Sequence, residues 1–285
     1  AMQIKKEYGR ETTKCHREGE LCTLTFPILE NTGAVTHLFS TRLGGISQNE
    51  FASMNLSYTR GDQKTCVDEN FRRIADAMGS RIEDFVFTDQ THTANVRVVT
   101  GADRGKGILR ERDYRDVDGL VTNETGVVLC AFFADCVPLY FVDPVRRVIG
   151  LSHSGWRGTV KKIGKVTVET MAREFGSHPE DIVAAIGPSI CGSCYEVSED
   201  VAEQFSKLSA ENEMGGVPVL RAKGEGKYLL NLWEANRRIL VEAGIPDAQI
   251  AVTDICTCCN PKLLFSHRAS HGKRGNLGAF LALKS

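Results

Sequence analysis

The chain has 285 residues, which corresponds to one or two domains at roughly 100–200 residues per domain. Its 35 lysine and arginine residues and 36 aspartate and glutamate residues give a net charge of −1. This balance argues against a general binder of nucleic acid or of acidic membranes. The composition, 42% hydrophobic and 25% charged residues, is typical of a globular protein and argues against a disordered chain.

We infer the compartment of the protein and the redox state of its cysteines from the absence of membrane and export signals in the sequence. No apolar run approaches the roughly 20 residues that a membrane-spanning helix needs. The first ten residues contain no apolar stretch typical of a signal peptide. We therefore expect a cytoplasmic protein, in which the ten cysteines stay reduced and act as core residues, metal ligands or catalysts.

The predicted elements are mixed helices and strands. Apolar residues at helical spacing predict helices over residues 65–78, 159–175, 198–208 and 232–243. Short runs rich in valine, isoleucine and phenylalanine predict strands over residues 85–88, 96–100, 127–134, 139–142, 148–152, 182–186 and 250–253. Four glycines within residues 210–226 predict a loop. Because strands and helices do not alternate strictly, we expect an α+β or mixed α/β domain.

Three polar segments follow predicted strands. The first contains Gln90 and His92, the second contains Asp135 and Cys136, and the third contains His153. The backbone changes direction where strands end, and binding side chains often lie on such connections. We therefore expect these segments to converge in one cleft.

One cysteine sulfur and two histidine nitrogens make a suitable ligand set for Zn²⁺, and three ligands leave a fourth position open. The candidates are His92, Cys136 and His153. Their separations of 44 and 17 residues match no local metal motif, so spacing alone favours hydrogen-bonded loop histidines and a buried cysteine. An alternative makes Cys136 a nucleophile activated by His153 or His92, and bound metal would distinguish the two.

Three arginines lie in loop-like segments near these clusters: Arg42, Arg157 and Arg268. Arginine suits bidentate contact with phosphate or carboxylate, although any one of them alone is more often a solvated surface residue. Trp156 beside Arg157 could stack on a flat ligand. A buried tryptophan is, however, the commoner outcome.

The remaining cysteines suggest a second metal site only weakly. Cys191 and Cys194 form a CxxC pair, and Cys256, Cys258 and Cys259 begin 62 residues after Cys194. Zinc ribbons bring two such pairs together across a gap of roughly 15–20 residues. We therefore expect these five to be packing or incidental thiols.

Several catalytic signatures are missing from the sequence. It contains no GxGxxG after a strand, no Walker A loop, no HExxH and no GxSxG. This argues against dinucleotide oxidoreductases, P-loop NTPases, zincin proteases and ordinary α/β-hydrolases.

Six short motifs in order resemble the laccase-domain family, which is YfiH-like and also described as multicopper polyphenol oxidoreductases or peptidoglycan-editing factors. The motifs are Ser40-Thr41-Arg42-Leu43-Gly44-Gly45, Gln90-Thr91-His92, Ala134-Asp135-Cys136-Val137-Pro138, His153-Ser154-Gly155-Trp156-Arg157-Gly158, Ile186-Gly187-Pro188 with Cys194-Tyr195-Glu196-Val197, and Phe265-Ser266-His267-Arg268. The resemblance covers residues 37–283. Two departures, Thr93 where the family has glycine and His267 where it has tyrosine, could alter substrate fit.

This resemblance implies a single α+β domain with a mixed, curved β-sheet flanked by helices. Residues 1–36 would form N-terminal strands or an extension packed on a catalytic domain of residues 37–285. It also implies a metal site built from His92, Cys136 and His153. Zn²⁺ suits this site best, and Cu²⁺ bound in vitro could give adventitious oxidation.

The resemblance implies a zinc-dependent purine nucleoside phosphorylase, with adenosine deaminase as a side activity. Its partners would be a nucleoside and phosphate, with no nucleic acid or membrane, and the oligomeric state is left open. Arg42 is the first choice for phosphate, followed by Arg157 and Arg268, with Gln90 also contacting substrate. Asp135 would orient a histidine ligand.

Three alternatives stay open. One is an amidase or cysteine hydrolase that edits peptidoglycan precursors, with Cys136 or metal-bound water as nucleophile. Another is a copper-dependent polyphenol oxidase, although a multicopper centre needs many histidines and the chain has only seven. The third is a binding or scaffold protein without catalysis.

Overall fold

The computed structural model describes residues 2–210 and 216–285. It has an α+β fold in one domain, as the sequence predicts. Two six-stranded sheets lie face to face, with helices on their outer faces. The predicted single mixed sheet is therefore divided into two larger sheets and a small third one.

The first sheet holds the N-terminal strands. Its order is β1 (Lys14–Glu18), β2 (Leu21–Thr25), β3 (Val35–Ser40), β15 (Leu277–Leu283), β7 (Val128–Phe133) and β4 (Phe85–Phe87). All neighbours are antiparallel except β4 and β7. The proposed boundary between residues 36 and 37 falls inside β3, so the N-terminal segment is continuous with this sheet.

The second sheet carries most of the candidate site. Its order is β14 (Ile250–Val252), β10 (Val183–Ile186), β8 (Val137–Asp143), β9 (Val148–Ser154), β6 (Gly119–Thr122) and β5 (Val96–Val98). The β14–β10 and β6–β5 pairs are parallel and the others antiparallel. A third sheet has the order β11 (Glu196–Ser198), β13 (Lys227–Leu230) and β12 (Leu220–Gly224).

The described residues form eight α-helices around the sheets. They are α1 (Pro27–Glu30), α2 (Lys64–Met78), α3 (Trp156–Val160), α4 (Ile163–Phe175), α5 (Glu199–Glu203), α6 (Ser206–Ala210), α7 (Leu232–Glu242) and α8 (His267–Ser270). Helix α2 packs on the first sheet, and α4 and α7 pack on the second. None of the described helices combines the length and apolarity needed to span a membrane.

Because side chains alternate along a strand, a central strand such as β7 contributes to the packing on both faces of its sheet. In β7, Leu129 and Ala131 point between the sheets, whereas Val128 and Cys130 point toward α2. A strand buried on both faces needs apolar residues throughout, because successive side chains project to opposite sides. This confirms the prediction of a central strand near residues 127–134.

Two predicted segments differ in detail. The helix expected over residues 159–175 is divided into α3 and α4 at Lys162, whose φ is 59°. The buried Thr159 hydroxyl donates to Gly155 O and accepts from Asn236, which ties α3 to α7. The loop expected over 210–226 contains β12 instead, and its residues 211–215 lie outside the described residues.

Buried His37 predicts an acid-sensitive step in stability. Its Nε2 accepts a hydrogen bond from Phe26 N at 2.9 Å, and burial lowers its pKa from 6.5 to about 4. The folded state therefore favours the neutral ring, so the stabilisation is complete above pH 6.5 and is lost as the pH falls toward 4. At 1.36 kcal/mol per pKa unit, the loss is on the order of 3 kcal/mol.

Urea unfolding between pH 7 and pH 4 tests this. The wild-type protein should lose about 3 kcal/mol more stability over this range than His37→Gln, which cannot titrate. His178→Gln, at an exposed position, serves as the control and should behave as wild type. Equal losses in wild type and His37→Gln would contradict the account.

Candidate metal centre and anion-binding cavity

Three side chains far apart in sequence meet at one point. The ligand atoms of His92, Cys136 and His153 all lie within 4.8 Å of one another. His92 follows β4, Cys136 lies in the turn between β7 and β8, and His153 is in β9. Because β8 and β9 are antiparallel with Pro138 opposite His153, the turn that holds Cys136 lies beside this histidine.

Gly155 leaves the space that these side chains occupy. A Cβ at this position would lie 2.9 Å from His92 Nδ1 and 3.1 Å from Cys136 Sγ. Any other residue would crowd both groups, since neither can retreat without leaving the cluster. The turn after β9 is therefore shaped to let the histidine and the thiol approach each other.

Asp118 is a site residue that the sequence did not single out. It precedes β6, is fully buried, and its Oδ2 lies 2.9 Å from His153 Nδ1. The same carboxylate accepts hydrogen bonds from the backbone N–H groups of Thr91, His92 and Thr93 at 3.0–3.1 Å. One buried carboxylate thus orients His153 and fixes the turn where His92 has a φ of 68°.

The electrostatics favour a cation at this point. Burial alone lowers the pKa of His153, but the Cys136 thiolate and the Asp118 carboxylate outweigh it and raise the pKa to about 9. Burial and the charge of His153 lower the pKa of His92. With Asp118 accepting from Nδ1–H, Nε2 of His153 is the nitrogen left to face Cys136.

The donor set fits a bound transition metal. One sulfur and two imidazole nitrogens suit Zn²⁺, with one coordination position left for a ligand. Metal ligands must be deprotonated, and a cation would replace the proton shared by His153 and Cys136. An Asp–His pair of this kind also sets the tautomer of a histidine ligand.

A cavity of about 520 Å³ opens over this point. Its size is within the range of small-molecule sites. Four arginines line it, Arg60, Arg157, Arg268 and Arg274, against a single carboxylate, Asp135. In the part of the chain that the structure describes, none of these guanidinium groups has a carboxylate within 4 Å, so the cavity can accept an anion.

Arg274 is the most deeply placed of the four. It donates to Asn276 Oδ1, and its Nη2 lies 3.3 Å from His267 Nδ1. Burial, followed by the neighbouring charge of Arg60, lowers the pKa of Arg274 to about 10. A buried guanidinium beside a second cation is stabilised when an anion binds between them.

Arg157 and Arg268 lie against aromatic rings of the cavity wall. The guanidinium of Arg157 is 4.3 Å from the ring centroid of Trp156, and that of Arg268 is 5.4 Å from that of Tyr195. Stacking holds a guanidinium plane while its N–H groups stay free to donate. Arg268 Nη2 donates to Glu196 O at 3.2 Å, and both arginines keep further donors for a ligand.

Arg42, the first choice for phosphate, lies outside the cavity lining. Its Nε donates to Ala52 O at 2.8 Å and its Nη1 donates to Pro261 O at 2.9 Å, with its guanidinium over Phe265. It ties two loops together. Arg60 and Arg274, which the sequence did not single out, take its place in the cavity.

Asp135 and Gln90 line the cavity. Asp135 does not bond to a histidine ligand, and the amide of Gln90 is bonded to the backbone. Asp135 accepts hydrogen bonds from Thr257 Oγ1, Ser266 Oγ and Arg268 N, and Asp118 rather than Asp135 contacts the histidine. The Gln90 amide bonds to the backbone of Phe132 in both directions, at 2.8 Å each. Gln90 therefore anchors the His92 turn to β7.

The fold and the site together define a single-domain α+β protein with a Cys/His₂ metal-binding group at the floor of a cationic cavity. Residues 36–284 match the family described as multi-copper polyphenol oxidoreductase laccase. The chain belongs to this family, which confirms the resemblance noted from its six motifs.

Named relatives cover nearly the whole chain. Over 259 residues it is 40% identical to purine nucleoside phosphorylase YlmD of Bacillus subtilis strain 168, covering 90% of this chain and 91% of that one. It is 38% identical over 232 residues to adenosine deaminase RL5 of an unknown prokaryotic organism, covering 81% and 87%. The crystal structure of the hypothetical protein YfiH of Bacillus licheniformis superposes with a TM-score of 0.87 at 37% identity, covering 95% and 99%.

Proposed function

We propose that this protein is a zinc-dependent purine nucleoside phosphorylase, which converts a nucleoside and phosphate to a free base and ribose-1-phosphate. One observation carries the proposal: the Cys/His₂ group shares its cavity with four arginines that have no carboxylate partner among the described residues. Such a cavity offers places for both a metal and an anion. The relative YlmD is named for this activity.

In the proposed reaction, arginines bind phosphate beside the ribose. Arg274 and Arg60 would neutralise the anion, and Arg157 and Arg268 would orient its oxygens through their remaining N–H groups. A phosphate oxygen forms a bond to C1′ of the ribose while the bond from C1′ to the purine nitrogen breaks. The electron pair of that bond leaves with the base, which takes up a proton.

Aromatic side chains of the cavity provide a place for the base. Phe132, Trp156 and Tyr195 line it, and flat rings stack on such surfaces. Bound at His92, Cys136 and His153, Zn²⁺ would supply a Lewis acid that polarises a substrate oxygen. Asp118 would keep His153 in the tautomer that binds metal.

We include adenosine deamination as a second reaction of the same site. The relative RL5 is named adenosine deaminase, and it matches 81% of the chain. Deamination consumes water instead of phosphate, so phosphate dependence separates the two reactions.

Product analysis with metal-quantified protein tests the proposal. The protein is incubated with inosine, adenosine and methylthioadenosine, each with and without phosphate. We expect ribose-1-phosphate and free base only when phosphate is present, and inosine from adenosine in either case. Release of base without phosphate, or no turnover of any nucleoside by zinc-loaded protein, would overturn the assignment.

Substitution of Arg274 tests the anion site. Removing a charged hydrogen-bond donor costs about 1.5–3 kcal/mol, so Arg274→Gln should raise the KM for phosphate by roughly 10- to 100-fold. Arg42→Gln, outside the cavity, should leave the KM for phosphate within about twofold of the wild-type value. If the two variants exchanged these effects, phosphate would bind near Arg42 instead.

A thiol hydrolase acting on peptidoglycan precursors is the second candidate. The observation in its favour is the row of Asp118, His153 and Cys136, which also suits a base-activated nucleophile. Such an enzyme would release an amino acid from a UDP-linked precursor without phosphate. Chelator treatment would leave that activity intact, whereas it should abolish phosphorolysis until zinc is restored.

A further inference from the structure

A second group of metal-ligating side chains lies outside the cavity lining. The sulfur atoms of Cys191, Cys194, Cys256 and Cys259 all lie within 4.8 Å of one another. Cys194 Sγ and Cys259 Sγ are 3.5 Å apart. Cys191 and Cys256 are buried, and the other two are half-buried. The structure thus gathers four of the five thiols that the sequence analysis expected to be packing or incidental residues.

The topology of the second sheet explains why these residues meet. Strands β10 and β14 are parallel neighbours, with Ile186 opposite Val252 at their ends. The two chains therefore leave the sheet at the same edge and in the same direction. Beyond the strands they stay paired, since Thr257 N donates to Ser189 O at 3.1 Å.

Each of these loops supplies two cysteines three positions apart. Cys191 and Cys194 form one CxxC pair, and Cys256 and Cys259 form a second one that the adjacent Cys258 obscures in the sequence. Two CxxC pairs are a common ligand pattern for structural zinc. The 62-residue gap between them is long because β11–β13 and α7 are inserted between the two loops.

Backbone groups are directed at one of the sulfurs. Cys191 N donates to Cys256 Sγ at 3.2 Å, and Cys259 N donates to the same sulfur at 3.4 Å. Hydrogen bonds from N–H groups to sulfur stabilise a metal-bound thiolate and hold it in place.

We propose that Cys191, Cys194, Cys256 and Cys259 bind one structural Zn²⁺ ion in a tetrahedral site. Zn–S bonds of about 2.3 Å place the four sulfurs about 3.8 Å apart, which agrees with the observed spread. An iron–sulfur cluster would hold its ligands farther apart, around a core of several atoms. Four protein ligands leave no open position, so this ion stabilises structure and does not react.

The site would fix one wall of the cavity. Ile190 and Tyr195 line the cavity, and in the sequence they flank the pair formed by Cys191 and Cys194. Ile190 N donates to Asp135 O at 3.0 Å, and Thr257 Oγ1 donates to the Asp135 carboxylate at 2.6 Å. Both loops that carry the cysteines are therefore bonded to the residue that precedes Cys136. The inference does not depend on the proposed reaction.

Metal analysis of the full chain tests the proposal. Protein purified with a reducing agent and without chelator should contain two zinc ions per chain. Cys194→Ser and Cys259→Ser should each lose one ion, whereas Cys258→Ser, the matched control inside the same loop, should keep both. If Cys258→Ser lost one zinc ion, as the two ligand variants should, the assignment of the four ligands would be wrong.

The ligand variants could fail to fold, so the decisive sample is Cys136→Ser, in which the four cysteines are unchanged. Zinc X-ray absorption should show one ion per chain with four sulfur neighbours at about 2.3 Å. Any of three results would overturn the proposal: no zinc in this variant, zinc bound mainly by nitrogen or oxygen, or iron with inorganic sulfide. Cys191–Cys256 or Cys194–Cys259 disulfides in freshly purified protein would overturn it as well.

Discussion

Replacing Cys136 with serine should remove the metal from the cavity and abolish phosphorolysis together. The Cys136 thiolate binds zinc strongly, and its negative charge stabilises the protonated form of His153. Serine lacks this charge. A Lewis acid contributes several kcal/mol to a reaction, so we expect ribose-1-phosphate formation to fall at least about a thousandfold. Metal content and initial rates with inosine and phosphate measure the two effects.

Cys66→Ser is the matched control for this change. Cys66 is a half-buried thiol in α2, away from both groups of metal ligands. It should keep wild-type metal content and activity, and thermal unfolding should show both variants folded. Full phosphorolysis by folded Cys136→Ser protein would end the proposal that this thiolate binds a catalytic metal.

The change Asp118→Asn should weaken metal binding while leaving the ligands themselves in place. An asparagine can donate its NH₂ group to His153 Nδ1, which moves the ring proton to Nε2 and blocks the lone pair needed for the metal. Loss of such an orienting carboxylate costs roughly 10- to 100-fold in metal affinity or activity. Competition with a zinc-binding dye measures the affinity.

A positioning role for Asp118 predicts more than lost activity. Excess zinc should restore part of the Asp118→Asn rate, because only the affinity and the tautomer have changed. Asp116→Asn is the control, since Asp116 is exposed and accepts from Thr91 Oγ1 in the same turn. Wild-type zinc affinity in Asp118→Asn would contradict the role assigned to this carboxylate.

The sequence predicts those parts of the fold that depend on local pattern. The pattern predicts a helix over residues 65–78 and α2 spans Lys64–Met78, because its apolar residues repeat at helical spacing and Gly79 ends it with a φ of 64°. Strand β15 was missed, since Leu277–Leu283 contains only glycine, alanine, leucine and phenylalanine and none of the β-branched residues that mark strands. Its pairing with β3 and β7 decides its structure.

In the candidate site, too, local sequence reveals some residues and long-range pairing determines the others. His92, Cys136 and His153 could be singled out because each follows or ends a predicted strand and belongs to a recognisable motif. The part played by Asp118 depends on β6 lying beside β9, a long-range pairing that spacing does not reveal. Arg60 and Arg274 are ordinary surface residues by sequence, and only the folded chain brings them to the cavity.

Anomalous diffraction at the zinc edge, from crystals of the protein purified without chelator, tests the metal centre most directly. We expect a zinc peak in the cavity within about 2.0–2.3 Å of Cys136 Sγ and of one nitrogen each from His92 and His153. We also expect a soaked phosphate to lie between this peak and Arg274. A fully active crystal sample with no anomalous peak at Cys136 would contradict it.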